Sequence, residues 1–467
     1  MRIVQTFWTA GQDPLKHNFG WSHPQYNLMS WALSCLSLRE HYDDVELYTD
    51  SAGYHILIEV LGLPYTKTHV VFDDFKCLPH HWALSKIKTY SLQTEPFIHV
   101  DGDVYLPQPL PKEIENAPLV AQNEEECTDY YRRMVEQIVV SHEILLYDWL
   151  DEQINATNMP SYNMGIFGGS DLEFIHTYCK KVFNFMEINH INDQANLQSS
   201  ANCNVFIEQI FFASLVKKNQ KEVNCLFQHL IKDNGYSYVE FCDLLDFFCR
   251  PYFHILGGHK LSADVSKTLE NLLVYKFPDF YWKVCLMFSD VHPRLISCQV
   301  QTSGLSIEKS IAMYEDFKKK LLLKWVHLNV KELKKLESLH SSYVFERNKR
   351  ISDYKIMKHP FVECFQIPRI WNEGANRILG KTLNFEDSFP LVAIAIIPSF
   401  NCDGLSACAL SFTDMIIMEI AEFGVIERSD MMKALCKKYP LAEKDDVMSM
   451  FSSEINFLFM NKMLFRI

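Results

Sequence analysis

The sequence lacks the long apolar runs and cysteine motifs that mark membrane-spanning and zinc-binding proteins. No uninterrupted apolar segment reaches about 18 residues, and Met1–Trp8 enters a strand-like run without the apolar stretch of a signal peptide. The 14 cysteines include no Cys-x-x-Cys pair, which disfavours a zinc site. Cys35, Cys242 and Cys285 stand among apolar residues, so we interpret the cysteines as reduced core residues. These absences predict a cytoplasmic protein without a membrane span.

Positive charge is also scarce. The net charge is -13 at pH 7, which argues against nucleic acid or an anionic membrane as the main partner. The composition, with 48% hydrophobic and 22% charged residues, is that of a globular protein. Because 467 residues exceed a single hydrophobic core, we expect about two or three domains.

An apolar strand that ends in two carboxylates dominates the first half of the chain. The segment Glu95–Pro107 has the near-continuous apolar run of a strand buried on both faces of an α/β sheet. Asp101 and Asp103 stand in an Asp-x-Asp pattern, which places both side chains on one side of an extended backbone. Their repulsion requires a cation, and oxygen ligands suit Mg²⁺ or Mn²⁺. A solvated turn after the strand is the alternative interpretation.

Strands and helices alternate before this segment. The apolar periodicity predicts strands at residues 2–8 and Val45–Thr49 and helices at Tyr26–Tyr42, His55–Leu61 and Trp82–Leu92. This alternation predicts a doubly wound sheet, in which ligands bind at the carboxyl ends of the strands. The two carboxylates fall at that edge.

Two later segments carry polar groups in apolar surroundings. Ser161–Ser170 reads as a strand in which Asn163 and Gly165 offer a polar, open patch to a sugar, although a plain strand between turns fits as well. Glu208 and Gln209 interrupt an apolar helix. A buried helix excludes an unpaired Glu, so Glu208 faces either solvent or a site.

The segment Tyr252–Lys260 contains His254, Gly257 and Lys260 at three-residue intervals. This spacing brings an imidazole, a bare backbone and an ammonium toward one small ligand. A lone histidine near aromatic residues is usually a core residue. Together with Asp101 and Asp103, His254 becomes a candidate third metal ligand.

The ordered combination of Asp-x-Asp, Asn-x-Gly, Glu-Gln and His-x-x-Gly-x-x-Lys resembles nucleotide-sugar-dependent glycosyltransferases of the GT-A fold, in particular the glycogenin and bacterial galactosyltransferase group. The resemblance covers roughly residues 1–290 and implies a GT-A-type doubly wound mixed sheet within a domain at 1–295. It implies that Asp101, Asp103 and His254 hold Mn²⁺ or Mg²⁺ on the diphosphate of a nucleotide sugar, most simply a UDP-sugar. The other site residues that it implies are Lys86, Asn163, Gly165, Gly257 and Lys260 around the donor, and Glu208 and Gln209 as catalytic residues that line the donor and acceptor pockets.

The sequence departs from that group at two points, because no Pro-Trp follows Lys260 and Glu208 replaces the usual Asp. These departures leave the sugar and the stereochemical outcome open. If the enzyme retains configuration, Gln209 or Glu208 lies beneath the anomeric carbon, and if it inverts, a carboxylate such as Glu208 acts as general base. A protein that keeps the fold for binding alone is a further alternative, which the intact Asp101, Asp103, His254 and Lys260 disfavour.

The second half changes in character. Residues from Ser306 to about Leu339 are rich in Lys, Glu and Leu with an apolar stripe, which predicts one or two long helices within a helical linker at 296–382. In a last domain at 383–467, strands are predicted at Val392–Ile397 and Ala407–Leu410. Helices are predicted there at Thr413–Phe423, Ser429–Lys438 and Lys444–Met463, with a short strand at Leu464–Ile467.

This order resembles the small α+β winged-helix domains of the PqqD-like kind, which recognise the leader of ribosomally made precursor peptides. The matching features are Met415–Glu422, the Leu435-x-x-x-Tyr439 helix and Val447–Phe465. A DNA-binding winged helix is disfavoured because residues 385–467 carry more Asp and Glu than Lys and Arg. The resemblance implies a precursor peptide as acceptor. The alternative is a surface-glycan precursor or small molecule as acceptor, with a purely structural last domain.

Overall fold

The computed structural model describes residues 1–141, 144–191, 201–288, 306–347, 354–366, 391–401, 403–438 and 444–467. These residues form two compact units, Met1–Glu270 and Asn271–Ile467. Within the described ranges, none of the helices combines the length and hydropathy that crossing a bilayer requires. The described cysteines are free thiols, and Cys35, Cys242 and Cys285 are buried, as predicted.

A seven-stranded mixed sheet forms the centre of the first unit, in the order β3-β2-β1-β4-β7-β6-β8. The strands of this unit are β1 (Arg2–Phe7), β2 (Val45–Thr49), β3 (Lys67–Val70), β4 (Phe97–Val100), β5 (Val104–Tyr105), β6 (Val120–Glu126), β7 (Pro160–Gly169), β8 (Asn224–Lys232) and β9 (Phe253–His254). Strands β1 to β4 run parallel, and β7 lies antiparallel between β4 and β6. Strands β5 and β9 form a separate antiparallel pair. The predicted α/β class with a mixed sheet is confirmed.

Helices connect these strands. They span Pro24–Arg39, Ser51–Tyr54, Ala83–Ser91, Lys112–Glu115, Asp129–Ser141, Asp148–Ile154, Leu172–Ile188, Ala201–Val205, Phe211–Lys218 and Ala263–Lys276. Wider π-helical turns occur at His55–Val60, Phe206–Ile210 and Tyr238–Cys242, and 3₁₀ turns at Leu244–Asp246 and Gly257–Leu261. The helix predicted at His55–Leu61 therefore begins earlier, at Ser51, because Asp50 caps it by accepting from the Gly53 amide.

Aromatic packing fixes these helices to the sheet. Phe167 of β7 contacts Phe212 edge-on, with ring centroids 5.0 Å apart, and also packs against Tyr90, with ring centroids 4.5 Å apart. All four residues of β4 are buried, as the apolar run before Asp101 predicts. A strand buried on both faces positions its final residues precisely, and this places the Asp-x-Asp segment at the carboxyl edge of the sheet.

The Asp-x-Asp segment itself is a turn between two strands, not the end of one extended strand. The run predicted over Glu95–Pro107 divides into β4 and β5, and the Val104 amide donates to the Asp101 carbonyl at 3.1 Å. The prediction of an extended backbone through Asp101 and Asp103 is therefore wrong. The turn brings them together instead.

The second unit contains helices and two small sheets. The helices span Pro278–Met287, Ser306–Trp325, Val330–Glu346, Phe412–Ile420, Arg428–Lys438 and Lys444–Met460, with a 3₁₀ turn at Ala421–Phe423. The strands are β10 (Lys355–Lys358), β11 (Glu363–Gln366), β12 (Leu391–Pro398), β13 (Leu405–Ser411), β14 (Ile426–Glu427) and β15 (Leu464–Arg466). One sheet has the order β14-β10-β15 and the other β11-β12-β13.

The helices and strands predicted after residue 390 are confirmed in type and order. Ser411 begins the first of these helices with a capping box, in which its hydroxyl and the Asp414 carboxylate each accept from the other's backbone amide. The amphipathic stretch after Ser306 forms two helices, as predicted. The predicted linker at 296–382 lies partly outside the described residues, and Tyr439 lies outside them altogether.

Candidate functional site

The pairing of β5 with β9 brings a histidine to the Asp-x-Asp turn. Val104 is the partner of His254 in this short antiparallel ladder, and the Ile255 amide donates to the Asp103 carbonyl at 3.0 Å. The imidazole Nε2 lies 3.5 Å from an Asp103 carboxylate oxygen. Residues more than 150 positions apart in the chain thus meet at the carboxyl edge of the sheet because two short strands pair.

Asp101, Asp103 and His254 form a cluster whose candidate ligand atoms all lie within 4.8 Å of one another. Two carboxylates and one imidazole are a donor set that fits Mn²⁺ or Mg²⁺. His254 is buried, whereas the two carboxylates are partly exposed, so the cluster is open on one side to a ligand. The three residues predicted as metal ligands therefore lie close enough together for their side chains to hold one metal ion.

Lys86 lies between two carboxylates of the site. Its Nζ is 2.9 Å from Asp101 Oδ1 and 2.6 Å from Glu208 Oε1, and the Tyr90 hydroxyl also approaches Glu208 at 3.4 Å. Burial alone would lower the pKa of the Lys86 ammonium, but Asp101 and Glu208 outweigh this effect and raise it. The sequence left two positions open for Glu208, facing solvent or facing a site. Glu208 does not face solvent, because it is buried beside Lys86.

The two carboxylates beside Lys86 are held at raised pKa values. Burial raises the pKa of Glu208 to about 7, with Lys86 opposing and Asp101 adding to the shift. Burial likewise raises the pKa of Asp101, against the effect of Lys86. Glu208 sits in the π-helical turn Phe206–Ile210, and such turns often occur where a helix presents functional side chains.

Lys260 is the second ammonium of the site. Its Nζ lies 2.5 Å from Asp103 Oδ2. Burial alone would raise the pKa of Asp103, but Lys260 and then His254 outweigh it and hold the pKa below its usual value. The Asp103 carboxylate is therefore ionised at neutral pH and available as a ligand.

All ten residues predicted for the site line one cavity of about 250 Å³. They are Lys86, Asp101, Asp103, Asn163, Gly165, Glu208, Gln209, His254, Gly257 and Lys260. Asn163 turns its side-chain oxygen to the Gly165 amide at 2.9 Å, and Gln209 contacts the Ser161 hydroxyl at 3.4 Å. The structure brings these residues together, and their roles in donor binding and catalysis stay predictions.

A second, smaller cavity of about 160 Å³ shares five residues with the first, namely Trp82, Lys86, Asp101, Asp103 and Lys260. Its remaining wall is mainly aromatic and includes Phe7, Trp8, Phe19, Trp21 and Trp31. The sequence analysis did not single out these aromatic residues. Phe7 is the last residue of β1 and Trp8 follows it, and their position at a carboxyl strand end was the signal that could have found them.

Gln122 is a further residue that the sequence analysis missed. It is fully buried in β6, and its Oε1 lies 2.7 Å from His254 Nδ1 and 2.6 Å from the Tyr252 hydroxyl. Two amides, Gln122 and Asn123, follow the apolar residues Leu119–Ala121. Amides within an apolar strand need buried partners, and this was the available signal.

The fold and the site define an α/β protein with a carboxylate and imidazole cluster at the carboxyl edge of a mixed sheet. Residues 1–287 match a family described as "Family of unknown function (DUF6734)", and the chain belongs to this family. No curated protein matches the sequence. Among solved structures, the apo form of mouse xyloside xylosyltransferase 1 aligns with 54% of this chain and 96% of its own chain, at 10% identity and a TM-score of 0.29. A likeness at this level does not establish a shared fold or activity.

Proposed function

We propose that this protein is a metal-dependent glycosyltransferase that moves a sugar from a nucleotide-diphosphate donor, a UDP-sugar, to an acceptor. The observation that carries the proposal is the Asp101, Asp103 and His254 cluster, which opens into the cavity that also contains Lys86 and Lys260. A divalent ion and two ammonium groups at one place suit a diphosphate, whose negative charge increases when the glycosyl bond breaks.

The aromatic cavity supports a nucleotide as the carrier of that diphosphate. It is continuous in its lining residues with the metal cluster, through Asp101 and Asp103. Aromatic rings stack on nucleobases, which every nucleotide offers. We therefore assign the aromatic cavity to the nucleoside and the larger cavity to the sugar and the acceptor.

The residues of the site have different roles in the proposed reaction. Mn²⁺ or Mg²⁺ bound by Asp101, Asp103 and His254 supplies positive charge for the departing diphosphate. Lys260 contacts a phosphate. Gln209 is partly exposed in the cavity, whereas the Glu208 carboxylate is buried and held by Lys86. This difference in access supports Gln209 as the group beneath the anomeric carbon of a retaining enzyme, with Glu208 as the residue that positions Lys86.

We further propose that residues 383–467 form a PqqD-like domain that recruits a precursor peptide as acceptor. The order of two strands, a helix, the two-residue strand β14, two further helices and a last short strand supports this, as does the position of β13 at the edge of the described sheet β11-β12-β13. An edge strand can accept a peptide as an additional strand. The predicted domain limits at 1–295, 296–382 and 383–467 belong to this proposal.

Thermal unfolding with nucleotide diphosphates and UDP-sugars, with and without Mn²⁺, tests the transferase proposal. A ligand at about 100 times its Kd stabilises the fold by roughly 2.7 kcal/mol. We expect a Mn²⁺-dependent stabilisation by one donor that Asp103→Asn abolishes. Asp43→Asn, at an exposed carboxylate before β2 at the amino end of the strands, is the matched control and should behave as the parent. Stabilisation by no nucleotide in the parent would refute the proposal.

A further inference from the structure

We infer that Gln122 is a positioning residue that fixes the proton of His254 on Nδ1, so that the Nε2 lone pair faces the metal. This inference rests on the proposed metal-dependent function. It concerns a residue outside the ten predicted for the site, in strand β6.

The orientation of two neighbouring amides follows from a backbone carbonyl, which can accept a hydrogen bond but cannot donate one. Asn123 Nδ2 lies 2.9 Å from the carbonyl oxygen of Glu124 and donates to it, so Asn123 Oδ1 points the other way. That oxygen lies 3.1 Å from Gln122 Nε2 and accepts from it. The orientation of the Gln122 amide is therefore determined, and its oxygen faces the site.

The oriented oxygen determines the histidine tautomer. Gln122 Oε1 lies 2.7 Å from His254 Nδ1 and can only accept, so Nδ1 carries the hydrogen. In a neutral imidazole the other nitrogen then has a free lone pair. That nitrogen, Nε2, lies 3.5 Å from Asp103 Oδ1, on the side of the metal cluster.

The backbone around this contact is shaped to permit it. The pairing of β6 with β7 shifts between Ala121 and Asn123, and such irregularities often redirect a side chain next to a site. Gly165 of β7 lies next to the hydrogen bond between Gln122 and His254. A Cβ at this position would lie 2.4 Å from Gln122 Oε1 and 2.5 Å from His254 Nδ1. A bare backbone at residue 165 therefore leaves room for the Gln122–His254 hydrogen bond.

The test measures Mn²⁺ binding to the full chain without nucleotide, by titration calorimetry or by the EPR signal of free Mn²⁺. Partners of metal-bound histidines typically contribute about 10- to 100-fold to metal affinity, so we expect Gln122→Met to weaken Mn²⁺ binding by about that factor. Gln122→Glu keeps an acceptor for Nδ1 and should recover most of the affinity. Tyr252→Phe removes the other donor to Oε1 at 2.6 Å and should bind Mn²⁺ as the parent does.

A second measurement reads the tautomer directly and does not need activity. Ring-nitrogen NMR of the ¹⁵N-histidine-labelled protein without metal, with His254→Gln to assign the signals, should show hydrogen on Nδ1 in the parent and in Tyr252→Phe. Gln122→Met should lose this preference. Equal Mn²⁺ affinity in Gln122→Met and parent, or hydrogen on Nε2 and not on Nδ1 in the parent, overturns the inference while the transferase proposal stands. A parent that binds no Mn²⁺ overturns both.

Discussion

At the scale of single residues, Glu125 is a buried carboxyl group that receives hydrogen bonds from hydroxyls alone among the described residues. Tyr236, Ser161 and Tyr131 donate to it at 2.9 to 3.1 Å. Burial raises its pKa from the ordinary 4.5 to about 7, against the effect of these three hydroxyls. Glu125 therefore keeps its proton in the folded protein at pH values where the unfolded chain has lost it.

This difference predicts how stability depends on pH. Below pH 4.5 the carboxyl is protonated in both states, and between 4.5 and about 7 the folded state binds more protons. Its contribution to the free energy of unfolding thus falls as pH rises, by roughly 3 kcal/mol in total. Glu125→Gln cannot ionise at this position. As pH rises from 4.5 to about 7, the unfolding temperature of the parent should therefore fall relative to that of Glu125→Gln. A difference between the two that does not change with pH would contradict the prediction.

Residue types, their order in the sequence and the resemblance that they carry were sufficient to find ten of the residues that line the cavity. Asp101 and Asp103 were detectable because acids after a buried strand need a reason, and His254 and Lys260 because of their spacing. The pairing of Lys86 with Glu208 was not predictable, since it joins residues far apart in the chain. The role inferred for Gln122 depends on a hydrogen-bond direction, which requires atomic positions.

At the scale of elements, strand β7 is fixed by the close approach of its neighbours to two glycines. Gly168 has φ +151°, and a Cβ there would lie 2.2 Å from the carbonyl oxygen of Phe97 in β4. Gly169 has φ +129° and is similarly close to the Pro118 carbonyl. Both residues lie within β7.

We expect Gly168→Ala to destabilise the first unit by about 3 kcal/mol or more, because the side chain adds backbone strain and displaces β4. Gly258→Ala is the matched control, since a Cβ there meets no atom within 4 Å and the backbone is not left-handed. Urea unfolding followed by circular dichroism compares the two variants. If both unfold at the same urea concentration, the strand contact does not limit substitution at Gly168.

The types and order of the elements were predictable because apolar periodicity is a local property. The first and last residues of the helices and strands were less predictable. The predicted apolar helix contains a π-helical turn at Phe206–Ile210, which apolar periodicity did not indicate. The sequence left the Asp-x-Asp turn as an alternative only, because the apolar residues continue past it into β5, which pairs with β9.

At the scale of the whole molecule, the proposed division of labour places chemistry and acceptor recruitment in different parts of the chain. All ten predicted site residues belong to the first unit, Met1–Glu270, and the family match ends at residue 287. The proposed peptide-recognition elements all lie after residue 390. Truncation can therefore separate donor use from acceptor choice.

A chain of residues 1–288 should keep Mn²⁺-dependent donor binding and slow donor hydrolysis, because its site residues are complete. Its KM for a precursor peptide encoded beside the gene should rise by about 100-fold or more, since tethered docking raises the local concentration of the peptide by this order. Transfer to a small acceptor at saturating concentration should remain the same in both chains. The same truncation with Asp103→Asn controls for hydrolysis by contaminants. Equal peptide KM values in the truncated and full chains would show that residues 289–467 do not recruit the peptide, and would favour a glycan or small-molecule acceptor.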